Sequence, residues 1–425
     1  MDAQKTESLL GPYRILDLTD EKGFICGETL GSLGADVIKI EKPGGDPGRR
    51  IGPFYRDIPH PEKSLYWFAT NLNKRGITLD IETEDGKAIF KRLVRSAHVV
   101  LESYPPGLME GLGLSYGALC EVNPSIIVTS ITPFGQTGPY SRFKGADIVL
   151  WAMSGELYAS GDPDRPPTQV SAPHQAYFNG SLQAAQATIA ALYHCEITGE
   201  GQHVDVAIQQ AVTHVAMKGI EDWYTDRVNV MRRGPFFSRP RPAPLGPINL
   251  RLIWPCKDGH VCFRMAGGVD VASRISLQNM TAVLVREGVA GPLEDYDWGQ
   301  YDWQTIPQEE QERLEEPFLN YFVTKTKAEL YDEAVKGGII LAPVGTVSDL
   351  LENPQLAARE YWEQVEHPEL NDRITYPGAF AKVSEAPIRI WRRAPLIGEH
   401  NEEIYGKELG LSRAQWVLLK QASVI

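Results

Sequence analysis

Between residues 13 and 135, short β-branched runs alternate with segments whose apolar residues recur at helical spacing. Tyr13–Thr19, Ala35–Glu41, Gly76–Ile81, His98–Ser103 and Ser125–Thr132 have strand length and composition. Phe24–Leu33, Asp85–Arg95 and Tyr116–Glu121 lie between them with a helical period. A chain built this way has few means of burying both faces of its strands. Right-handed βαβ crossovers lay them into a parallel sheet covered by helices, so the alternation predicts a doubly wound, Rossmann-like α/β domain. Ligand sites of such sheets lie beyond the carboxyl ends of the strands.

Further along, Asn179–Tyr193 reads as a long helix in which Ala184, Ala187, Ala190 and Ala191 allow close packing. The Gly199-Glu200-Gly201 turn ends it, and His203–Ile208 reads as another strand. After residue 225 the composition changes. Residues 232–251 hold five arginines, five prolines and no acid, whereas residues 294–316 hold nine acids and one arginine. We read 10–210 as a large α/β domain, 228–335 as a smaller domain, and 340–425 as a C-terminal segment returning to the large domain.

Charge and composition exclude several classes. With 42 basic and 55 acidic side chains the net charge is −13, which disfavours a nucleic-acid binder, since phosphate neutralisation needs clustered cations. No apolar run approaches the roughly 20 residues that span a bilayer, and the N-terminus lacks a basic-then-apolar leader. A cytoplasmic protein with no membrane partner is expected. The five cysteines (Cys26, Cys120, Cys195, Cys256, Cys262) are scattered and read as reduced, buried side chains. The nine histidines show no ligand spacing, so no metal is expected.

The common cofactor fingerprints are missing. After the first strand the chain reads Leu18-Thr19-Asp20-Glu21-Lys22-Gly23, without the Gly-x-Gly-x-x-Gly of dinucleotide sites. Neither a phosphate-binding Gly-x-x-x-x-Gly-Lys loop nor a Gly-x-Ser-x-Gly elbow occurs. Taken alone, Gly161-Asp162-Pro163-Asp164-Arg165-Pro166-Pro167 reads first as a proline-braced turn, with a rigid loop presenting a carboxylate nucleophile as the other reading. Asp147, ahead of the apolar run Ile148–Met153, reads as a first-turn helix carboxylate.

A set of longer strings resembles the class III CoA-transferase family. They are Leu33-Gly34-Ala35-Asp36-Val37-Ile38-Lys39-Ile40-Glu41, Asn73-Lys74-Arg75 before Thr78-Leu79-Asp80, Pro106-Gly107 before Leu112-Gly113, and Phe134-Gly135-Gln136-Thr137-Gly138-Pro139. Ala152-Met153-Ser154-Gly155, the Asp164/Pro166-Pro167 turn, the run from Thr198 to Val206, and Ala394-Pro395-Leu396-Ile397-Gly398-Glu399-His400 complete it. They stand in family order over nearly the whole chain.

The resemblance implies a large α/β domain and a smaller α+β domain joined by two linkers, in an interlocked dimer. It implies CoA thioesters as substrates, with a free carboxylic acid as acceptor and no permanently bound cofactor, ATP or metal. The nucleophile is expected at Asp164, with Arg165 replacing the family's usual Gly. Asp164 would form a mixed anhydride with the acyl group and then an aspartyl-CoA thioester, which the acceptor acid resolves in reverse. Each intermediate must be kept from water and its oxyanion stabilised. The CoA contacts are expected at Lys22, Gly23, Lys42, Leu79, Ser103, Tyr104, Pro105, Thr132, Pro133, Phe134 and Gly135. Residues 232–251 take the place of a lid, with Arg239 or Arg241 for a substrate carboxylate; a solvated Pro-rich linker is the other reading of that segment.

Some relatives carry cations where this chain has Glu82, Gly111 and Thr132. Lys22, Arg49, Arg50, Lys74 and Arg75 are the candidates to replace them. The alternative is a weakly catalytic or non-catalytic subunit working beside a paralogue, so the oligomer reads as a homodimer or a heteromer. The related α-methylacyl-CoA racemases need two proton carriers, and those positions fall here on Ala146 and on or near Ala176, with His174 close by, which demotes that activity. Succinyl-CoA as donor and a dicarboxylic or aromatic acid such as benzylsuccinate as acceptor are expected, with aromatics of Asp46–Trp67 bordering the acyl group.

Overall fold

The computed structural model describes residues 8–169, 174–239, 241, 245–265 and 270–425; for Ser238 and Arg239 it describes the backbone alone. Two compact units divide the chain. One gathers the residues up to Leu157 with Gln169–Asn229 and Gln355–Ile425; the other gathers Tyr158–Thr168 with Val230–Pro354.

The first unit is built on a parallel sheet of β1 (Arg14–Asp17), β2 (Asp36–Glu41), β3 (Lys74–Thr78), β4 (Val99–Glu102), β5 (Ile127–Thr132) and β6 (His203–Ala207). Their spatial order is β3-β2-β1-β4-β5-β6, that of an open doubly wound sheet, with the order reversing between β1 and β4. Successive strand side chains alternate faces. Leu16, Ile38, Ile77 and Val100 face Phe90, Leu93, Ile404 and Tyr405 on one side. Ile15, Val37, Leu101 and Ile131 face Leu30, Ala184 and Ala185 on the other. Helix Phe24–Ser32 runs so close to the sheet that a Cβ on Gly27 would stand 2.4 Å from Asp17 Oδ2. The alanine-rich helix spans Gln175–Thr198, longer at both ends than its alanines indicate.

The C-terminal segment closes onto this sheet. Trp67 Nε1 donates to the Pro395 carbonyl at 3.1 Å, Gly76 N–H to His400 Nδ1 at 3.1 Å, and Tyr405 O–H to the Thr78 carbonyl at 2.6 Å. Trp67 is therefore core, packed on Phe24 and under the Arg49 guanidinium, and does not border an acyl group.

The second unit is α+β. An antiparallel pair joins β7 (Phe236–Arg239) to β8 (Ile248–Arg251), and a three-stranded sheet joins β9 (Ile253–Cys256), β10 (Gly259–Phe263) and β11 (Leu341–Pro343). Helices Val271–Arg286, Gln308–Phe322 and Lys327–Gly337 enclose a core rich in aromatics, among them Trp254, Phe263, Trp298 and Phe318. Two segments fall here that the sequence reading placed elsewhere. β11 pairs with β10, Leu341 opposite Phe263. The Tyr158–Thr168 turn joins this unit because Gly234 N–H donates to the Gly161 carbonyl at 3.0 Å. Apolar strand character is local, whereas the partner of an edge strand is not. In the first unit, β12 (Trp362–His367) and β13 (Asp372–Pro377) form a further antiparallel hairpin.

Among the described residues no helix is long and apolar enough to cross a membrane, and no three His, Cys, Asp or Glu side chains converge as metal ligands. All five cysteines are free thiols; only Cys26 is buried, and Cys262 is exposed.

Candidate functional site

The reversal of strand order between β1 and β4 opens a crevice at their carboxyl ends, and the loops there are tied to one another. Asp20 N–H donates to Ser103 Oγ at 2.8 Å, and Ser103 Oγ–H returns a bond to Asp20 Oδ1 at 2.8 Å. The Lys22 ammonium donates to the same carboxylate. Lys22 and Ser103, proposed from sequence on separate loops, thus meet on Asp20, which sequence reasoning did not single out. Gly23 sits where a Cβ would fall 2.5 Å from Thr19 Cγ2, so the turn into helix Phe24–Ser32 leaves no room for a side chain.

Tyr104 N–H donates to Glu102 Oε2 at 2.8 Å, and Pro105 O accepts from Leu108 N–H at 3.0 Å. At the end of β5, Thr132 is buried with an unpartnered hydroxyl. Pro133 O accepts from Gln209 N–H at 3.0 Å, and the Phe134 ring meets Tyr140 edge-on at 6.0 Å. Gly135 adopts φ +84°, turning the chain so that Gln136 N–H reaches the Asp205 carboxylate at 3.0 Å. Leu79 is buried, its N–H on the Glu41 carbonyl at 2.7 Å, which leaves it a backbone role.

Glu102 is the electrostatic outlier of this edge. Burial, reinforced by Asp20 and Asp205, raises its pKa to about 7, although Ser130 and the Tyr104 N–H pull the other way. Ser130 Oγ lies 2.9 Å from His203 Nε2, so carboxyl, hydroxyl and imidazole form one chain across β4, β5 and β6. Burial lowers the His203 pKa. As a strand-end residue in an apolar run, Glu102 gave no sequence signal beyond its charge.

The replacement cations are mostly spent inside the fold. Lys74 has no exposed side-chain surface; its ammonium is 2.8 Å from Asp17 Oδ2, the Phe24 carbonyl and Asn71 Oδ1 alike. Arg49 is buried between Glu41 and Glu62 and also donates to Pro395 O at 2.9 Å. Arg75 is shared by Asp36, Glu403 and Glu408. None of the three offers a free donor to a phosphate, because each is already engaged by carboxylates of the fold. Lys42 pairs at 2.7 Å with Glu82, both half exposed. Arg50 is exposed.

Asp164 lies in the second unit, on an exposed turn, and no hydrogen bond or ion pair of the described residues reaches its carboxylate. That turn is pinned by Arg232, whose guanidinium donates to the carbonyls of Tyr158 (3.0 Å), Arg165 (3.1 Å) and Asp162 (3.3 Å). Arg241 is occupied differently from its expected role. Its guanidinium is buried and donates to the carbonyls of Gly246 (2.9 Å), Trp303 (3.2 Å), Leu245 (3.4 Å) and Ile306, which makes it a loop brace. The Arg239 side chain lies outside the described residues.

Around the start of helix Gln175–Thr198 the structure gathers a group the sequence did not reveal. Asp147 Oδ1 accepts from Ala176 N–H at 2.8 Å, so this carboxylate caps the neighbouring helix. Its Oδ2, His174 Nδ1 and Trp151 Nε1 are buried without partners. The His174 ring packs on Tyr66 at 4.7 Å and on Tyr177 at 5.8 Å.

The parallel sheet, with its strand order reversing between β1 and β4, defines a doubly wound α/β protein. Comparison with known proteins makes this specific. Residues 10–401 match the model of CoA-transferase family III, and the chain belongs to that family. It is 38% identical over 400 residues to a protein of Thauera aromatica named succinyl-CoA:(R)-benzylsuccinate CoA-transferase subunit BbsE, covering 92% of each. It is 31% identical over 433 residues to the formyl-CoA:oxalate CoA-transferase of Streptomyces coelicolor, covering 99% of this chain and all of that one. The crystal structure of a CAIB/BAIF family protein from Brucella suis matches with a TM-score of 0.77 at 26% identity, covering 93% of this chain and 98% of that one. Class III CoA-transferase activity is thus the activity of this chain's family.

Proposed function

We propose that this chain is one subunit of a heteromeric, succinyl-CoA-dependent CoA-transferase whose acceptor is a dicarboxylic acid bearing an aromatic group. The observation that carries the heteromer is the fate of its cations. Lys74, Arg49 and Arg75 are buried and saturated, and Lys42 is held by Glu82. A second subunit makes up the deficit for an anionic substrate. The relative named as a subunit of a benzylsuccinate enzyme supports the same reading, and its name supports the donor and acceptor. The Tyr66–His174–Tyr177 ring cluster suits an aromatic acyl group. An apolar cavity of about 560 Å³, lined by Ile25, Leu182, Ile189, Phe380 and Ile390 among others, suits burial by another subunit, in keeping with the interlocked dimer expected from the resemblance.

The CoA moiety lies along the strand ends, over Lys22, Gly23, Ser103, Tyr104, Pro105 and the Thr132–Gly135 turn, with Lys42 leaving Glu82 for a phosphate. An exposed ion pair contributes only about 0–1 kcal/mol, so little is lost in opening it. Transfer proceeds through a mixed anhydride between the acyl group and an enzyme carboxylate, whose carbonyl the CoA thiolate then attacks, releasing the donor acid and leaving a thioester of that carboxylate with CoA; this splits one difficult exchange into two easier steps.

Two assignments of that carboxylate follow. In the first it is Asp164 of this chain. In the second the paralogous subunit supplies it and this chain is non-catalytic. The exposure of Asp164, whose carboxylate no hydrogen bond of the described residues reaches, favours the second, since an anhydride needs shielding from water and an oxyanion needs N–H groups. The racemase alternative has no base at Ala146 or at Ala176, which is buried.

The test is intact-mass and peptide mass spectrometry of the chain, alone and co-purified with its paralogue, after succinyl-CoA and then hydroxylamine. A hydroxamate on the partner, with none on this chain, is the result the second assignment expects. A hydroxamate on Asp164 establishes the first. Full transfer by this chain alone overturns the heteromer.

A further inference from the structure

A hydrogen-bonded path crosses three strands of the first unit and ends at the crevice assigned above to CoA. β4 finishes at Glu102, the residue before the Ser103–Pro105 contacts, and this side chain is only 4% exposed. The register sets it opposite Ser130 of β5, whose hydroxyl bonds its carboxylate. Ser130 Oγ lies 2.9 Å from Nε2 of His203, the first residue of β6. The His203 ring stacks on Tyr116 at 6.0 Å and still reaches solvent. Thr132, two residues past Ser130 and so on the same face of β5, is fully buried with its hydroxyl unpartnered. A hydrogen-bonding need is thus left open at the crevice end of the path.

The charges around Glu102 are mostly negative. Asp20 faces it from the loop after β1, and Asp205 from β6. Around Tyr104, next on its own loop, stand Asp46 and Glu82 as well. The cations nearby are already engaged: Lys22 by Asp20, Lys42 by Glu82, and Lys39 between Asp17 and Asp46. A ligand bearing phosphates adds further negative charge to this edge. Each added negative charge disfavours ionised Glu102, whose pKa is already raised by burial to about 7. Neutralising that carboxylate relieves the repulsion as an added cation would.

We propose that Glu102 takes up a proton when CoA seats on the 103–105 and 132–135 loops, the proton arriving through His203 and Ser130. A His203 imidazolium gives its Nε2 proton to Ser130 Oγ while the Ser130 hydroxyl proton passes to the Glu102 carboxylate. A neutral imidazole, an intact hydroxyl and a neutral carboxyl remain. The inference rests on the CoA placement above and names the group that offsets the shortage of cations there.

The test is calorimetric titration of CoA into the co-purified heteromer at pH 6 and pH 8, each in two buffers of different ionisation enthalpy. The difference in uptake between the parent and Glu102→Gln counts this chain's share and cancels protons taken by CoA itself. It should approach one proton at pH 8 and fall to about a tenth at pH 6, where a carboxyl of pKa about 7 is already protonated. Above pH 7 the Kd of the parent site should weaken by up to about tenfold per pH unit, and that of Glu102→Gln should not. Equal uptake in the two proteins overturns the inference. Infrared difference spectra of the parent at pH 8 need no variant: CoA should bring up a protonated-carboxyl band, and its absence also overturns the inference. In stopped flow with a pH indicator, His203→Phe should take up the same proton more slowly; an unchanged rate removes the relay. Failure of CoA to bind the parent at either pH defeats the CoA placement itself, and this inference with it.

Discussion

The Lys74 ammonium lies 2.8 Å from Asp17 Oδ2, and neither side chain has exposed surface. Asp17 also accepts from Thr19 N–H at 2.9 Å and Thr19 Oγ at 2.6 Å, so its carboxylate is met on every side. The pair locks the ends of β1 and β3 beneath Gly27, where a larger residue would collide with both partners.

Breaking one half of a buried pair leaves an uncompensated charge, at about 3–5 kcal/mol. Lys74→Met should therefore unfold at clearly lower urea than the parent. Burial alone would raise the Asp17 pKa, but Lys74, Lys39 and the hydrogen bonds outweigh it and hold the carboxyl below its ordinary value. A depressed carboxylate contributes stability above its unfolded pKa, near 3.9, and loses it as pH falls through the folded value. Asp17→Asn should flatten the acid limb of the stability–pH curve; an unchanged limb would contradict this role.

Glu102 works in the opposite sense. Its pKa, raised by burial to about 7, means the folded state holds a proton that the unfolded chain has released above pH 4 to 5. Stability from this group is present at low pH and declines as pH rises through 7. Glu102→Gln should then lose less stability than the parent between pH 5.5 and 8, measured by urea midpoints. Identical slopes for the two proteins would show that Glu102 titrates normally.

Lys42 and Glu82 form a half-exposed pair 2.7 Å apart. Glu82→Lys frees Lys42 and adds a cation, so the Kd for CoA should fall roughly fivefold at low salt, the effect of about 1 kcal/mol. Raising the ionic strength should shrink the gain. Calorimetric titration at two salt concentrations checks it, and an unaltered Kd at low salt removes Lys42 from the phosphate site.

Arg241→Ala should weaken the fold rather than substrate binding. Arg241 holds four loop carbonyls, so its loss should cost roughly 2–3 kcal/mol of stability, since bonds from charged donors contribute about 1.5–3 and do not add. Its effect on KM for the acceptor acid should be small. Denaturation curves and steady-state kinetics on the variant and the parent side by side check it, and a KM shift without loss of stability would contradict the bracing role.

What the chain determined locally is its alternation of strands and helices. The strand runs around Leu16, Ile38, Ile77, Val100 and Ile131 were legible because short, near-continuous apolar runs must bury both faces of a sheet. The loops after those strands, with Lys22, Ser103 and Tyr104, were legible because sites gather at strand ends. Charge could not be read this way. Whether Lys74, Arg49 and Arg75 are free for a ligand or consumed by Asp17, Glu41 and Asp36 depends on side chains 8 to 57 residues apart in sequence. Arg241 and Arg233, eight positions apart in one basic stretch, look interchangeable until the fold surrounds one with carbonyls and lays the other over the Phe237 ring. Patterning is a one-dimensional property and fixes which faces are buried. The pairing of charges is decided only when the tertiary structure brings distant partners within hydrogen-bond reach.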